Sequence, residues 1–90
     1  MKKFLVISML LLGCITGQAQ IKSFRFIHIS DTHIGSPNGS AEEDLRRTVR
    51  DINQLNGVAF VIITGDITEL GTDAQLALAK QILDSLKVKY

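Results

Sequence analysis

The sequence predicts an α/β fold, built as strand, helix, strand, helix and the start of a third strand. Phe24–Ile29 and Val58–Ile63 are short runs rich in aromatic and β-branched residues, the composition of strands. Each is followed by a stretch whose apolar residues recur at helical spacing. Capping patterns precede both helical stretches, and alternation of this kind points to parallel strands joined by right-handed crossovers.

Residues 1–19 stand apart from that unit. Lys2 and Lys3 precede a short apolar run, Phe4–Leu12, and Gly17-Gln18-Ala19 offers small residues at the positions a signal peptidase inspects. We read an export signal over 1–19 and one domain over 20–90. The apolar run falls short of the roughly 20 residues that a bilayer crossing needs, so no membrane span is expected. A rival reading takes Leu11-Leu12-Gly13-Cys14 as similar to a bacterial lipobox, which would make Cys14 a lipid-anchored N-terminus. Both readings place the protein outside the cytoplasm, in the periplasm or the extracellular space.

The first strand, Phe24–Ile29, stops at Ser30-Asp31, and the loop Gly35-Ser-Pro-Asn-Gly39 follows. Ser40 with Glu43 three residues on forms a capping-box pattern, and Glu42, Glu43 and Asp44 complement the positive end of a helix dipole. Leu45, Val49, Ile52 and Leu55 make the apolar stripe of this helix, and Asn56-Gly57 ends it. Its arginines pair with acids one turn earlier, Glu42 with Arg46 and Glu43 with Arg47, as expected of a solvated face.

Val58–Ile63 is apolar without alternation, the pattern of a strand buried on both faces of a parallel sheet. Thr64-Gly65-Asp66 ends it. Thr72 with Gln75 offers a second capping box, and Leu76, Ala79, Ile82, Leu83 and Leu86 form the second helical stripe. Val88-Lys-Tyr90 reads as a third strand beginning. Two helices crossing in one sense would cover only one face of the sheet, so the other face calls for further chain.

Ten Lys plus Arg against nine Asp plus Glu leave a formal charge of +1, with the basic residues interleaved among acids. No electrostatic footprint for nucleic acid results. A single Cys excludes an internal disulfide and a multi-cysteine zinc knuckle, so stability rests on packing.

Asp31 follows the first strand and Asp66 the second, so parallel strands would bring Asp31, His33 and Asp66 to one sheet edge, where ligands bind in open α/β folds. Asp-x-His lets a turn aim a carboxylate oxygen and an imidazole nitrogen at one cation. Mixed oxygen and nitrogen ligation suits zinc, manganese, iron or cobalt better than magnesium or calcium. Gly65 removes a side chain where backbone and metal would crowd. His28 is mid-strand and out of phase with Asp31, so it reads as a structural histidine. Glu69 and Asp73 could reach the rim of the site, but acids near a helix start more often serve the helix dipole, and both are left out of the site.

Phe26-Ile-His-Ile-Ser-Asp-Thr-His-Ile34 followed by Val61-Ile-Ile-Thr-Gly-Asp-Ile67 resembles the calcineurin-like metallophosphoesterase family, with likeness from about Phe24 to Leu86. The stretch Ile67–Leu76 is similar to its class III cyclic-nucleotide and glycerophosphodiester phosphodiesterase branch. The resemblance implies a metallophosphoesterase-type α/β sandwich. It also implies two divalent metal ions, Asp31 and His33 on the first and Asp66 bridging to the second. A hydroxide between the metals would attack a phosphate ester, a diester in preference to a monoester.

The family continues into a third strand closed by Gly-Asn-His and draws further histidines from later loops. Two histidines in all do not complete such a centre, so the chain is expected to be an N-terminal fragment without appreciable turnover alone. A chain this short buries only about 60% or a little more of its unfolded surface, which makes a half-domain marginal. Two other readings stand beside the enzyme. One is a small exported α/β binding module with merely structural acids; the other is a phosphoacceptor domain, disfavoured because Asp31 is followed by Thr32-His33 and not by a second acid.

Overall fold

The computed structural model describes residues 22–90, so the expected export signal and Cys14 lie outside the described residues. The order is β1 (Arg25–Ser30), α1 (Ala41–Asn53), β2 (Val58–Thr64) and α2 (Asp73–Leu83). This is the expected α/β alternation. β1 and β2 pair in parallel, Ile27 against Val61, Ile29 against Ile63 and Ser30 against Thr64. Among the described residues no helix is long and apolar enough to cross a membrane.

Both helices pack on one face of this sheet. Ile29 and Val61 meet Ile52 of α1, with Ile27, Ile63, Leu86 and Val88 around them. Ile34, Leu45 and Val49 meet Ala79, Ile82 and Leu83 of α2 in an adjoining cluster. Ile34, Ile82 and Val61 are almost fully withdrawn from water, and burying each such side chain contributes about 1.5–3 kcal/mol.

Among the described residues the opposite face is open, as expected of two helices that cross in one sense and cover only one face. The residues of β2 alternate in burial, and Phe24, Phe26 and Ile62 are exposed to 66%, 49% and 41%. Phe26 stacks on Phe60 with ring centroids 5.3 Å apart, and Phe24 leans on both. The aromatic rings shelter one another where, among the described residues, no second layer covers them. A continuous apolar run records that both faces avoid water; it does not say what covers them.

Two stripe residues are corrected. Leu55 is 52% exposed because α1 ends at Asn53, and Leu76 is 49% exposed although it shares a helical face with the buried Ala79 and Leu83, because it stands in the first turn of α2, short of the core. Neither capping box closes fully. Ser40 has ψ 46, outside the extended conformation that aims a cap hydroxyl at the helix amides, and makes no side-chain cap bond. Thr72 is extended and accepts from Gln75 N at 3.2 Å, but the Gln75 side chain accepts from Leu70 N instead of returning to Thr72. Arg46 pairs with Glu42 as expected, whereas Glu43 faces Arg50 and Arg47 faces Asp44.

The chain after α2 lies beside β2. Asn53, in the last turn of α1, donates to Ser85 O and accepts from Lys87 N, both at 2.8 Å, and Val61 N donates to Lys89 O at 2.9 Å. One ladder bond is what exists of the expected third strand; Val88–Tyr90 is not regular strand.

Candidate metal centre

Past the last strand residues the two loops continue side by side. Asp31 N donates to Thr64 O, His33 N to Asp66 O and Ile34 N to Ile67 O, and Glu69 N returns to Ile34 O. Thr32 Oγ1 adds a bond to Ile67 O at 2.8 Å. Ile34 and Thr68 form an isolated parallel bridge, with the Ile34 side chain fully buried beneath it. A loop just beyond a strand is thus held almost as firmly as the sheet.

Two residues in this loop carry strain. Asp31 and His33 have φ of 56 and 47, a left-handed conformation that costs a residue with a Cβ roughly 1–2 kcal/mol. Such outliers concentrate where a side chain must point in a set direction. Gly65, opposite them, has φ +75, and a Cβ there would stand 2.8 Å from Asp31 Oδ2. A Cβ at Gly65 would therefore crowd the Asp31 carboxylate, a neighbour other than the metal expected there from the sequence.

Asp31, His33 and Asp66 each offer a ligand atom, and these atoms all lie within 4.8 Å of one another. All the site residues named from the sequence are brought together. His33 Nε2 faces Asp31 Oδ1 at 3.9 Å, and Asp66 N donates to the same oxygen at 3.4 Å. Ser30 Oγ donates to Asp31 Oδ2. That hydroxyl, then the Asp66 amide, then the nearby imidazoles hold the Asp31 carboxyl below its ordinary value, so the carboxylate is kept ionised. Two carboxylates and an imidazole, partly open to water, fit a borderline divalent metal with room for solvent or substrate.

A cleft of about 560 Å³ runs from this cluster toward the start of α1, lined by Asp31, His33, Ser36, Ser40, Asp44 and Glu69. Its acids favour a cation over an anion. His28 lies on the sheet face away from the helices, where its Nε2 meets Thr64 Oγ1 at 2.6 Å, in line with a structural role. Glu69, assigned from the sequence to the helix dipole, instead pairs with His33 Nδ1 at 2.9 Å. Asp73 alone occupies the first turn of α2. The signal for Glu69 was its place three residues past Asp66, on the loop that parallel strands must lay beside His33.

No curated protein matches the chain. Residues 24–89 match the family model for calcineurin-like phosphoesterases, a stretch that takes in both strands, both helices and all the candidate ligands. Metal-dependent hydrolysis of phosphate esters is the chemistry of that family, and divalent metals are what the donor set accommodates. The parallel β1–β2 pair with Asp31, His33 and Asp66 at its loop ends is the same pattern in three dimensions, and the chain belongs to the calcineurin-like phosphoesterase family.

Proposed function

We propose that Asp31, His33 and Asp66 hold divalent metal for the hydrolysis of a phosphate ester, a diester in preference to a monoester. The observation that carries this reading is the convergence of those donor atoms within 4.8 Å at the end of the parallel strands. The likeness of Ile67–Leu76 to phosphodiesterase sequences favours the diester. When bound, a pair of divalent ions supplies an activated water at neutral pH and neutralises charge on the phosphoryl oxygens. Asp31 and His33 would hold the first ion, and Asp66, whose carboxylate has two oxygens, would reach both. Manganese, iron, zinc and cobalt all suit the donors.

Three donors serve one ion with open positions, whereas a pair of ions needs more ligands than the described residues gather. We therefore expect the chain alone to bind one metal ion and to turn over little ester. Export through residues 1–19, with cleavage after Ala19 or lipidation at Cys14, belongs to the same reading and rests on Lys2-Lys3 and the apolar run after them.

Titration of the metal-free chain with Mn2+, beside Asp66→Ala, tests the site. Uptake near one ion per chain, weakened at least about tenfold in the variant, is the expected result. Equal uptake by both proteins would refute it, as would robust hydrolysis of bis(p-nitrophenyl) phosphate that survives exhaustive chelation.

A further inference from the structure

We infer that Glu69 is a positioning residue for His33, fixing the imidazole so that Nε2 and not Nδ1 faces the metal pocket. The inference deepens the proposed metal site and rests on it. His33 Nδ1 stands 2.9 Å from Glu69 Oε2, while Nε2 points to Asp31 Oδ1 at 3.9 Å. An ionised carboxylate only accepts hydrogen bonds, so the ring nitrogen facing Glu69 must carry the proton. In the neutral imidazole the lone pair then belongs to Nε2, the atom on the Asp31 side and the one a metal requires.

The backbone makes this arrangement more than a chance surface contact. Glu69 is 36 residues from His33 along the chain, yet its own N–H is bonded at 2.9 Å to the carbonyl of Ile34, the residue after His33. Ile34 is fully buried, so the two loops cannot slide past one another without opening the core. His33 itself is held at φ 47, which sets the direction in which its Cα–Cβ bond leaves the backbone. Glu69 thus grips the far side of a ring whose near side is aimed at Asp31 and Asp66. A carboxylate behind a ligating histidine also raises the basicity of the ligand nitrogen, and removing such a partner costs about 10–100-fold in metal affinity.

Two readouts on the full chain test the assignment. Long-range proton–nitrogen NMR of the metal-free protein reads which nitrogen of His33 is protonated. His28, the other histidine and bonded to Thr64, is the internal reference. Mn2+ affinity, from the electron paramagnetic resonance signal of the free ion, reads the consequence. The wild type should carry the proton on Nδ1. Glu69→Gln, whose amide oxygen can accept the same bond, should keep that tautomer, and Glu69→Ala should average the two His33 nitrogens while leaving His28 unchanged. Mn2+ affinity should fall about tenfold or more in Glu69→Ala and be largely restored in Glu69→Gln.

Unchanged His33 signals in Glu69→Ala, or changed signals with unchanged affinity, would overturn the assignment, as would an Nε2 proton in the wild type. A wild type that takes up no Mn2+ would overturn the metal site itself, a failure seen before any Glu69 variant is made. Retention of far-ultraviolet circular dichroism in both variants separates these outcomes from unfolding.

Discussion

Adding one methyl group at Gly65 should damage the metal site more than the fold, and a second glycine provides the comparison. Gly65 has φ +75, and its new Cβ would stand 2.8 Å from Asp31 Oδ2 and 2.9 Å from Asp31 Cγ and Oδ1. All three distances are too short for real atoms, so the Asp31 carboxylate must move. Gly57 has a matching φ of +74, but its Cβ would meet only Arg25 Nη2, at 3.3 Å, the far end of a flexible side chain. The backbone cost of placing alanine in the left-handed region, roughly 1–2 kcal/mol, is therefore common to Gly65→Ala and Gly57→Ala. Displacing Asp31 breaks its contact with the Asp66 amide and turns it from His33 Nε2, and this cost falls on Gly65→Ala alone. In urea titrations Gly57→Ala should lose about 1–2 kcal/mol and Gly65→Ala at least as much, while Mn2+ affinity should fall about tenfold or more only in Gly65→Ala. Wild-type affinity in Gly65→Ala, or an equal loss in Gly57→Ala, would refute the claim that Gly65 exists to make room for Asp31.

Ile34→Ala should cost about 2–5 kcal/mol in urea unfolding, the range for emptying a core position, and should weaken Mn2+ binding as well because Ile34 anchors the loop that carries His33. Phe26→Ser should cost only about 1 kcal/mol, the worth of its stack on Phe60, and should lower the fluorescence of an apolar dye bound to the open sheet face. Lys80 and the Tyr90 hydroxyl both bond to Asp84, holding its carboxyl below the usual range, and Asp84 in turn pushes Lys80 and Tyr90 up. The Asp84 contribution to stability is present above the unfolded value of about 3.9 and is lost as pH falls through the lower folded value. The Lys80 and Tyr90 contributions are present below about 10 and are lost as pH rises through their raised folded values. Melting temperatures against pH should therefore fall off less steeply at both ends in Asp84→Asn.

The elements and the candidate ligands were legible because each is written in local chemistry. β-Branched runs, Gly57 and Gly65 at turns, and Thr72 before α2 act over a few residues, and Asp31, His33 and Asp66 sit directly at strand ends. What stayed hidden depended on backbone angles and tertiary contacts that no short pattern specifies. The Ser40 capping box failed through the local backbone angle, while the exposures of Leu55 and Leu76 followed from where α1 ends and α2 begins relative to the core. The pairing of Glu69 with His33 followed only from parallel register carried past the strands.

The sequence by itself determined the α/β alternation, the strand-end carboxylates and the mixed oxygen and nitrogen donors, since propensity and side-chain chemistry are properties of short segments. Only the tertiary structure decided that the chain after α2 bonds beside β2 at Val61, that Phe24, Phe26 and Phe60 face outward on the side away from the helices, and that Glu69 reaches behind His33. Such facts are set by which surfaces come into contact, and a one-dimensional pattern of apolar and polar residues specifies that a face avoids water without specifying its partner.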